Sequence, residues 1–225
     1  MPRLALMSDP HTYHKKLKMP DADILVCAGD ISFRGSLDEV QRWCEWVDTL
    51  LNRGKYKDVV WIAGNHDFFL QDGDPEFIKE VVRYAGTYLK DESAVVQGLK
   101  FYGSPWQPEF FDWAFNLPRG VALKLMWDKI PTDTQVLITH GPPYMILDNI
   151  FRKTPTKYDP KGLLPGHVGC VDLAEAVLRI RPRLHTFGHI HEAYGIVEKD
   201  GIIYANASVN TYGYEPTNEL IVVDL

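Results

Sequence analysis

Short apolar runs recur along the chain and alternate with longer amphipathic stretches. Eight of these runs are rich in β-branched or aromatic residues, which is typical of β-strands. The predicted strands are residues 4–7, 24–28, 58–63, 99–103, 135–139, 183–187, 201–205 and 219–224. Several sit between turn residues such as Gly, Pro, Asn and Asp, so the chain is expected to contain many short strands.

Three of the stretches between the strands have a helical pattern. Residues 36–54 open on Ser36, which is a good N-cap, continue with acidic residues and close on Gly54. Residues 74–86 and 170–180 show the same features. Because strands and helices alternate along the chain, the pattern predicts an α/β fold.

The length and composition of the chain suit a single domain. The chain has 225 residues, of which 45% are hydrophobic and 24% charged, and this suits one compact domain spanning 1–225. The three cysteines are widely spaced, which argues against a disulfide framework and against a thiolate zinc site. Residues 148–168 are rich in Pro, Gly and Lys and lack periodicity, so they are a candidate lid or substrate loop.

Charge and hydropathy exclude some partners. The apolar stretch at the N-terminus is too short for a signal peptide, and no run approaches the roughly 20 apolar residues of a membrane span. We therefore expect a cytoplasmic protein without membrane contact. The net charge is −6, and no Lys/Arg cluster exists beyond "HKK" at 14–16, which argues against duplex nucleic acid as a ligand.

Polar side chains follow five of the predicted strands, at the point where each strand ends. They are Asp9 and His11, Asp30, the segment Asn65, His66 and Asp67, then His140, and finally His189 and His191. Ligands of α/β sheets bind at the carboxyl ends of strands, so these residues are expected to converge on one crevice.

The residue types in this set indicate metal binding. Carboxylate, imidazole and amide groups without thiolate suit manganese, iron or zinc. Seven of these nine residues, all except His66 and Asp67, are the candidate ligands, and seven are too many for one ion, which points to two. In extended backbone, residues i and i+2 face the same side, so Asp9 and His11 are expected to share an ion, and His189 and His191 to reach a neighbouring pair of ions. Asp30 is the natural bridge between two ions about 3.5 to 4 Å apart.

The ordered motifs D-x-H, G-D, "GNHD", "THGPP" and G-H-x-H resemble the calcineurin-like metallophosphoesterase superfamily. Further segments, including "CAGDISFRG", "YGSPWQPEFFDWAFNLPRG", "RPRLHTFGHIHEAYG" and "NASVN", resemble its small class III phosphodiesterases. That subgroup includes vertebrate brain metallophosphoesterase-domain proteins and bacterial and phage relatives. The resemblance implies two mixed β-sheets packed face to face, helices outside them, and a site at the carboxyl ends of the strands.

The resemblance also implies a set of metal ligands. The first ion would be held by Asp9, His11, Asp30 and His191, and the second by Asp30, Asn65, His140 and His189. Manganese is the favoured metal, with iron or zinc as alternatives. His191 is present here, whereas some relatives have a residue that cannot ligate at this position, so two competent sites are expected. Pro10 inside D-x-H and a longer segment before "HVGC" depart from the pattern, and the longer segment bears on substrate preference.

The expected function is a two-metal phosphodiesterase acting on small phosphodiesters, with cyclic nucleotides favoured and 2′,3′-cyclic ones ahead of 3′,5′-cyclic ones. His66 would protonate or stabilise the leaving oxygen. Asp67 would orient a histidine, and Gly64 would allow a tight turn. The alternatives are a phosphomonoesterase or nuclease that uses the same ligands, and a nucleotide-binding module with little turnover.

Several other polar residues could have either a structural or a functional role. A structural role is favoured for His185, while His14 is open between a surface residue and a pocket wall. Arg34 is open between phosphate contact and a salt bridge to residues 38 and 39. His167, at the end of the candidate lid, is a possible substrate contact. Asn206 would hydrogen-bond near the metals or close a turn.

The aromatic residues of the segment 106–113 are numerous enough to stack on a base. They are Trp106, Phe110, Phe111 and Trp113. A core position or a subunit interface is the favoured interpretation, and a homodimer is therefore considered.

Overall fold

The computed structural model describes residues 1–151 and 165–225. Its strands are β1 Arg3–Met7, β2 Ile24–Cys27, β3 Asp58–Trp61, β4 Thr87–Tyr88, β5 Glu92–Val96, β6 Leu99–Ser104, β7 Gln107–Pro108, β8 Asn116–Leu117, β9 Val136–Thr139, β10 Asn149–Phe151, β11 Pro165–His167, β12 Leu184–Phe187, β13 Gly195–Lys199, β14 Ile202–Asn206 and β15 Ile221–Asp224. Its α-helices are α1 Leu37–Asn52, α2 Phe68–Asp72, α3 Pro75–Val82, α4 Val121–Trp127 and α5 Val171–Ile180.

Two large mixed sheets organise these strands. The first has the order β15-β1-β2-β3-β4, in which β15 is antiparallel to β1 and the other pairs are parallel. The second has the order β13-β14-β12-β9-β6-β5, with parallel pairs in the middle and an antiparallel strand at each edge. The central strands of both sheets are therefore parallel, and their carboxyl ends lie along a shared edge.

Alternation along the strands produces four layers. In β1, Leu4 and Leu6 belong to the cluster shared by the two sheets, while Ala5 and Met7 belong to the cluster under α1. A third cluster joins the other face of the second sheet to α4 and α5. Because both faces of the parallel strands are buried, their sequences are continuous apolar runs. The predicted α/β fold, with two packed sheets between helices, is confirmed.

Each predicted strand overlaps an observed one, but the sequence did not predict all of them. The edge strands β5 and β13 were missed because most of their side chains are exposed, and their sequences lack the continuous apolar run of a strand that is buried on both faces. The short helices α2 and α4 were also missed, since neither has a side-chain N-cap. Residues 152–164 of the candidate lid lie outside the described part of the chain, and its described ends pair as β10 and β11.

A capping box begins α1. Ser36 Oγ accepts a hydrogen bond from the Glu39 amide, and the Glu39 carboxylate accepts one from the Ser36 amide at 3.1 Å. The buried face of the helix carries Trp43 and Val47 into the core. The capping box thus fixes the start of α1, the helix that covers the first sheet.

Replacing Ser36 with alanine should lower the free energy of unfolding by about 1 kcal/mol, because one amide of the first turn loses its acceptor. Urea unfolding of metal-stripped protein would measure the change without a contribution from metal binding. Ser36→Thr is the matched control and should retain most of the stability. Equal losses in both variants would show that the hydroxyl does not cap the helix.

Candidate metal centre

The loops after five parallel strands meet at one edge of the molecule. His140, after β9, donates from Nδ1 to the Ala28 carbonyl oxygen after β2 at 2.9 Å. The amide of His189, after β12, donates to the Asp9 carboxylate at 3.0 Å, although 180 positions separate them. The predicted convergence of the strand-end residues is therefore seen in the structure.

The side-chain atoms of these residues form one compact cluster. His191 Nε2 lies 3.5 Å from Asp9 Oδ1, and His11 Nε2 lies 3.7 Å from Asp30 Oδ2. His140 Nε2 is 3.5 Å from the same Asp30 oxygen. Three overlapping sets have potential ligand atoms within 4.8 Å of one another: Asp9, His11 and His191; Asp9, Asp30 and His140; and His11, Asp30 and His66. Asp9, Asp30 and His11 thus each belong to two sets.

Asn65 lies at the other side of the cluster. Its Oδ1 is 2.8 Å from His140 Nε2 and 2.8 Å from His189 Nδ1. The amide oxygen therefore occupies the same small region as the two imidazole nitrogens, and the predicted ligands Asn65, His140 and His189 are brought together.

Hydrogen bonds set the tautomers of three histidines in a way that suits a metal. The Nδ1 atoms of His11, His140 and His191 lie 2.9 to 3.1 Å from the carbonyl oxygens of Ser32, Ala28 and Thr211. A carbonyl oxygen only accepts, so each Nδ1 carries a proton, and each Nε2 is the ring nitrogen that faces the cluster, where it can become a metal ligand once it carries no proton. His11 Nε2 is buried and has no hydrogen-bond partner among the described residues. This donor set fits divalent cations.

Electrostatics in the metal-free protein keeps His11 and His189 neutral but favours a protonated His140 beside Asp30. Burial lowers the pKa of His11 to about 4 and that of His189 to about 3, which keeps both rings neutral. Burial opposes the charge on Asp30, but the neighbouring His140 holds the pKa of this carboxyl well below its usual range. Burial likewise opposes protonation of His140, yet Asp30 raises its pKa to about 9. A cation placed here would take over the charge-balancing role of His140.

The backbone of this site differs from the expectation of extended strand ends. Asp9, His11, Asp30 and His189 have φ values of 54°, 39°, 52° and 68°, in the left-handed region. Such conformations cost of order 1–3 kcal/mol each and persist where the surroundings hold them. The idea that i and i+2 spacing in extended backbone aligns the ligands was therefore wrong. Tight left-handed turns aim the side chains instead.

Residues about 200 positions away hold Asp9 in its turn. Ser208 Oγ donates to Asp9 Oδ2 at 2.7 Å, and Asn210 Nδ2 donates to the Asp9 carbonyl oxygen at 2.6 Å. Both come from the segment after β14. The strained conformation of Asp9 is thus fixed by partners on another strand end.

Asp67 has a different role from the expected one. Its buried carboxylate accepts hydrogen bonds from the amides of Ile31, Ser32 and Gly64 and from Ser32 Oγ, and not from a histidine. It therefore ties the loop after β2 to the loop after β3. Burial and the nearby Asp30 raise the pKa of Asp67 to about 6.

Gly64 is required for space rather than for a left-handed turn, because its φ is not positive. A Cβ atom at this position would overlap Asp30 Oδ1 and lie 2.6 Å from His140 Cε1. The close approach of the two ligands to the backbone thus explains the glycine of "GNHD".

A cavity of about 430 Å³ opens over the cluster. Its floor includes His11, Asp30, Asn65, His66, His189 and His191. Its walls include Glu109, Phe110, Trp113, Arg119, Glu192 and Tyr214. The volume and the mixture of aromatic and polar walls are typical of a site for a small organic ligand.

The preference for a core or interface position was wrong for two of the four aromatic residues. Phe110 and Trp113 line the cavity, with Trp113 stacked on His66 at a centroid distance of 4.3 Å. Trp106 is half-buried and donates to Asp91, and Phe111 is 79% exposed. A short aromatic run next to a metal motif carries no periodicity that would separate these positions.

The sequence analysis did not single out Arg119 or Tyr214. Arg119 donates to the carbonyl oxygens of Gly169 at 2.8 Å and Val168 at 2.6 Å, which places its guanidinium at the cavity wall. Tyr214 packs edge-on against His11 and His191 at 5.0 and 5.2 Å. Arg119 lies in the quoted segment ending in "NLPRG" and Tyr214 lies in none of the quoted segments, but neither has a spacing that predicts a cavity position, so only the tertiary fold reveals it.

Neither interpretation of His14 was correct. It is buried between Trp43 and Trp46, with ring centroids at 5.5 and 4.8 Å, and is neither a surface residue nor a pocket wall. Arg34 is exposed, and its backbone amide, not its side chain, donates to Glu39. Neither residue is part of the cavity wall described above.

His167, Asn206 and His185 have structural partners. His167 Nδ1 lies 2.7 Å from the buried Asp148 carboxylate, which also accepts from the Gly169 amide. Asn206 donates to the carbonyl oxygens of Leu147 and Ile190, so it closes loops beside the site. His185 is fully buried against Thr139 at 2.8 Å, as its favoured interpretation predicted.

Comparison with known proteins agrees with this geometry. Residues 2–193 match the family model of the calcineurin-like phosphoesterases, and the chain belongs to this family of phosphoester hydrolases. It is 39% identical over 245 residues to metallophosphoesterase domain-containing protein 1 of Homo sapiens and of Mus musculus, which covers 99% of this chain and 71% of each relative. The resemblance inferred from the motifs is confirmed.

A solved structure shares the fold. Phosphopantetheinyl hydrolase (PptH) from Mycobacterium tuberculosis superposes with a TM-score of 0.58 and 17% sequence identity, covering 98% of this chain and 95% of that one. Within the described residues, no helix has the length and hydropathy needed to cross a membrane. The cytoplasmic location and the homodimer stay predictions.

Replacing Gly64 with alanine should weaken metal binding and activity strongly, because the new methyl group displaces Asp30 and His140. Metal content after gel filtration and activity at saturating metal would measure the effect. Gly213→Ala is a suitable control, since its Cβ would meet only Thr211 Oγ1 at 3.7 Å. Full metal content in Gly64→Ala would contradict the assignment of these two residues to a metal site.

Proposed function

We propose that this protein is a two-metal phosphodiesterase that hydrolyses small phosphodiesters. Cyclic nucleotides are the favoured substrates, with 2′,3′-cyclic ones ahead of 3′,5′-cyclic ones. The observation that carries the proposal is the arrangement of three Nε2 atoms, on rings oriented by backbone carbonyls, around two buried carboxylates.

Two overlapping ligand sets account for the geometry. Asp9, His11, Asp30 and His191 would hold one ion, and Asp30, Asn65, His140 and His189 the other. Asp30 is the proposed bridge, because one of its oxygens lies 3.7 Å from His11 Nε2 and 3.5 Å from His140 Nε2. The ligand types suit manganese, with iron and zinc as alternatives. Such ions would supply charge neutralisation for the phosphate and lower the pKa of an attacking water.

His66 is the proposed proton donor for the leaving group. Its Nδ1 lies 2.7 Å from the Phe33 carbonyl oxygen, which leaves Nε2 as the ring nitrogen for the cavity that His66 lines. As the new bond from water to phosphorus forms and the ester bond breaks, the imidazolium form of His66, protonated at both Nδ1 and Nε2, would pass its Nε2 proton to the leaving oxygen and become a neutral ring. An alkoxide needs this proton because it is a poor leaving group.

The cavity supports a small substrate with a planar group. Phe110 and Tyr214 offer aromatic surface on which a base can stack. Among the described residues of the wall, Arg119 is the one Lys or Arg, while Glu109 and Glu192 are acidic. A nuclease that binds several phosphates would need more cations, so this lining favours a substrate with one phosphodiester group over a polynucleotide.

Removing the bridge should remove both metals. Asp30→Ala is expected to abolish hydrolysis of 2′,3′-cyclic AMP, 3′,5′-cyclic AMP and bis(p-nitrophenyl) phosphate by protein stripped and reloaded with manganese. Its metal content should fall toward none, whereas His191→Ala should retain one of the two ions. Asp30→Asn keeps an acceptor for the His66 amide, which donates to Asp30 Oδ1 at 2.7 Å, and so separates metal loss from misfolding. Two ions bound in Asp30→Ala would rule out the bridge.

The role of His66 depends on the leaving group. His66→Ala should lose roughly 10² to 10⁴-fold in kcat on a cyclic nucleotide and far less on bis(p-nitrophenyl) phosphate, since p-nitrophenolate leaves without a proton. Both rates must be measured at saturating manganese with metal occupancy confirmed. Equal losses on the two substrates would leave His66 as a phosphate contact and remove the proton-donor assignment.

A further inference from the structure

Trp113 packs against the side chain of His66 in the wall of the cavity. Its ring stacks on the His66 imidazole with a centroid distance of 4.3 Å and an interplanar angle of 30°. The Trp113 ring also contacts Phe68, with ring centroids 6.1 Å apart. The indole face that covers His66 is not available to a substrate base. Trp113 therefore contacts the proposed proton donor itself.

The loop that carries Trp113 is fastened to the backbone beside His66. The amide of Ala114 donates to the Asn65 carbonyl oxygen at 3.0 Å. Asn116 Nδ2 donates to the Phe111 carbonyl oxygen at 2.8 Å and so clips the aromatic tip of the loop. These bonds on both sides of Trp113 hold its ring at a defined place over His66.

The His66 ring is held on three sides. Phe33 accepts from Nδ1 at 2.7 Å, His11 meets the ring edge-on at a centroid distance of 4.6 Å, and Trp113 covers one face. Rotation of the ring would break the bond to Phe33 and turn Nε2 away from the cavity. The stack with Trp113 opposes this rotation without occupying either ring nitrogen.

We propose that Trp113 is a positioning residue, which holds the His66 imidazole so that Nε2 faces the leaving oxygen of the substrate. The proposal rests on the proposed function for the role of that oxygen, but the ring orientation itself is a property of the metal-free chain. Because stacked aromatic pairs are only modestly stabilising, removing the indole should shift the ring population and lower kcat about tenfold rather than abolish it.

Ring orientation is measured first, without metal or substrate. Long-range proton–nitrogen NMR spectra distinguish Nδ1 from Nε2, and His66 is assigned by the signals that disappear in His66→Ala. Native protein and Trp113→Phe should show one form protonated at Nδ1. Trp113→Ala and the bulkier Trp113→Leu should show exchange between forms and a weakened Nδ1 hydrogen bond. Unchanged His66 signals in both of these variants would overturn the proposal.

A double-mutant cycle then tests whether Trp113 acts through His66. With a cyclic nucleotide, Trp113→Leu should lower kcat and leave KM nearly unchanged, whereas in the His66→Ala background the same substitution should have no further effect. Equal losses in both backgrounds, or a loss confined to KM, would mean that Trp113 contacts the substrate directly, and would overturn the positioning role.

Controls separate this proposal from the proposed function. Phe111→Ala removes an exposed aromatic residue of the same loop and should leave kcat unchanged. Trp113→Phe should restore most of the rate that Trp113→Leu loses. If His66→Ala shows no leaving-group dependence while the His66 signals still respond to Trp113, the proton-donor role fails and the positioning stands.

Discussion

Two carboxylates that are removed from water, Asp9 and Asp30, are the constraint on which the rest of the site depends. A buried carboxylate is costly unless it is hydrogen-bonded or paired with a cation. The Asp9 carboxylate accepts hydrogen bonds from the His189 amide and the Ser208 hydroxyl, and the Asp30 carboxylate accepts one from the His66 amide. These donors come from different strand ends, so satisfying the carboxylates also brings the loops together.

The same loops set the histidines. Backbone carbonyl oxygens accept hydrogen bonds from Nδ1 of His11, His140 and His191. Asp67 accepts hydrogen bonds from backbone amides of two loops and so links them. The fold thus fixes the orientation of these rings, with Nε2 toward the cluster, in the absence of a cation. Such preorganisation lowers the reorganisation that binding requires, and it explains why so many of the residues around the site are fully buried.

The strand-end residues proposed as metal ligands were predictable from the sequence, whereas most of the residues that surround them were not. Strand-end residues such as Asp30 and His140 follow continuous apolar runs, so the pattern and the parallel topology together predict where they lie. Their left-handed backbone was not predictable from alternation, because it depends on partners such as Asn210 on another loop. Arg119 was missed and Trp113 misplaced for a similar reason, since the segment that contains them shows no spacing that predicts which side chains line the cavity, and their positions follow from tertiary contacts.

The bonds from Ser208 and Asn210 to Asp9 have a consequence for how the protein is made. Asp9 follows the first strand, and the groups that hold it are synthesised 199 to 201 positions later. During synthesis, the early half of the site therefore exists without its fixed geometry, and contacts so distant in sequence form slowly. In the proposed two-metal protein, cation binding would consequently follow the formation of β14, and Asp9 would lack these two donors until then.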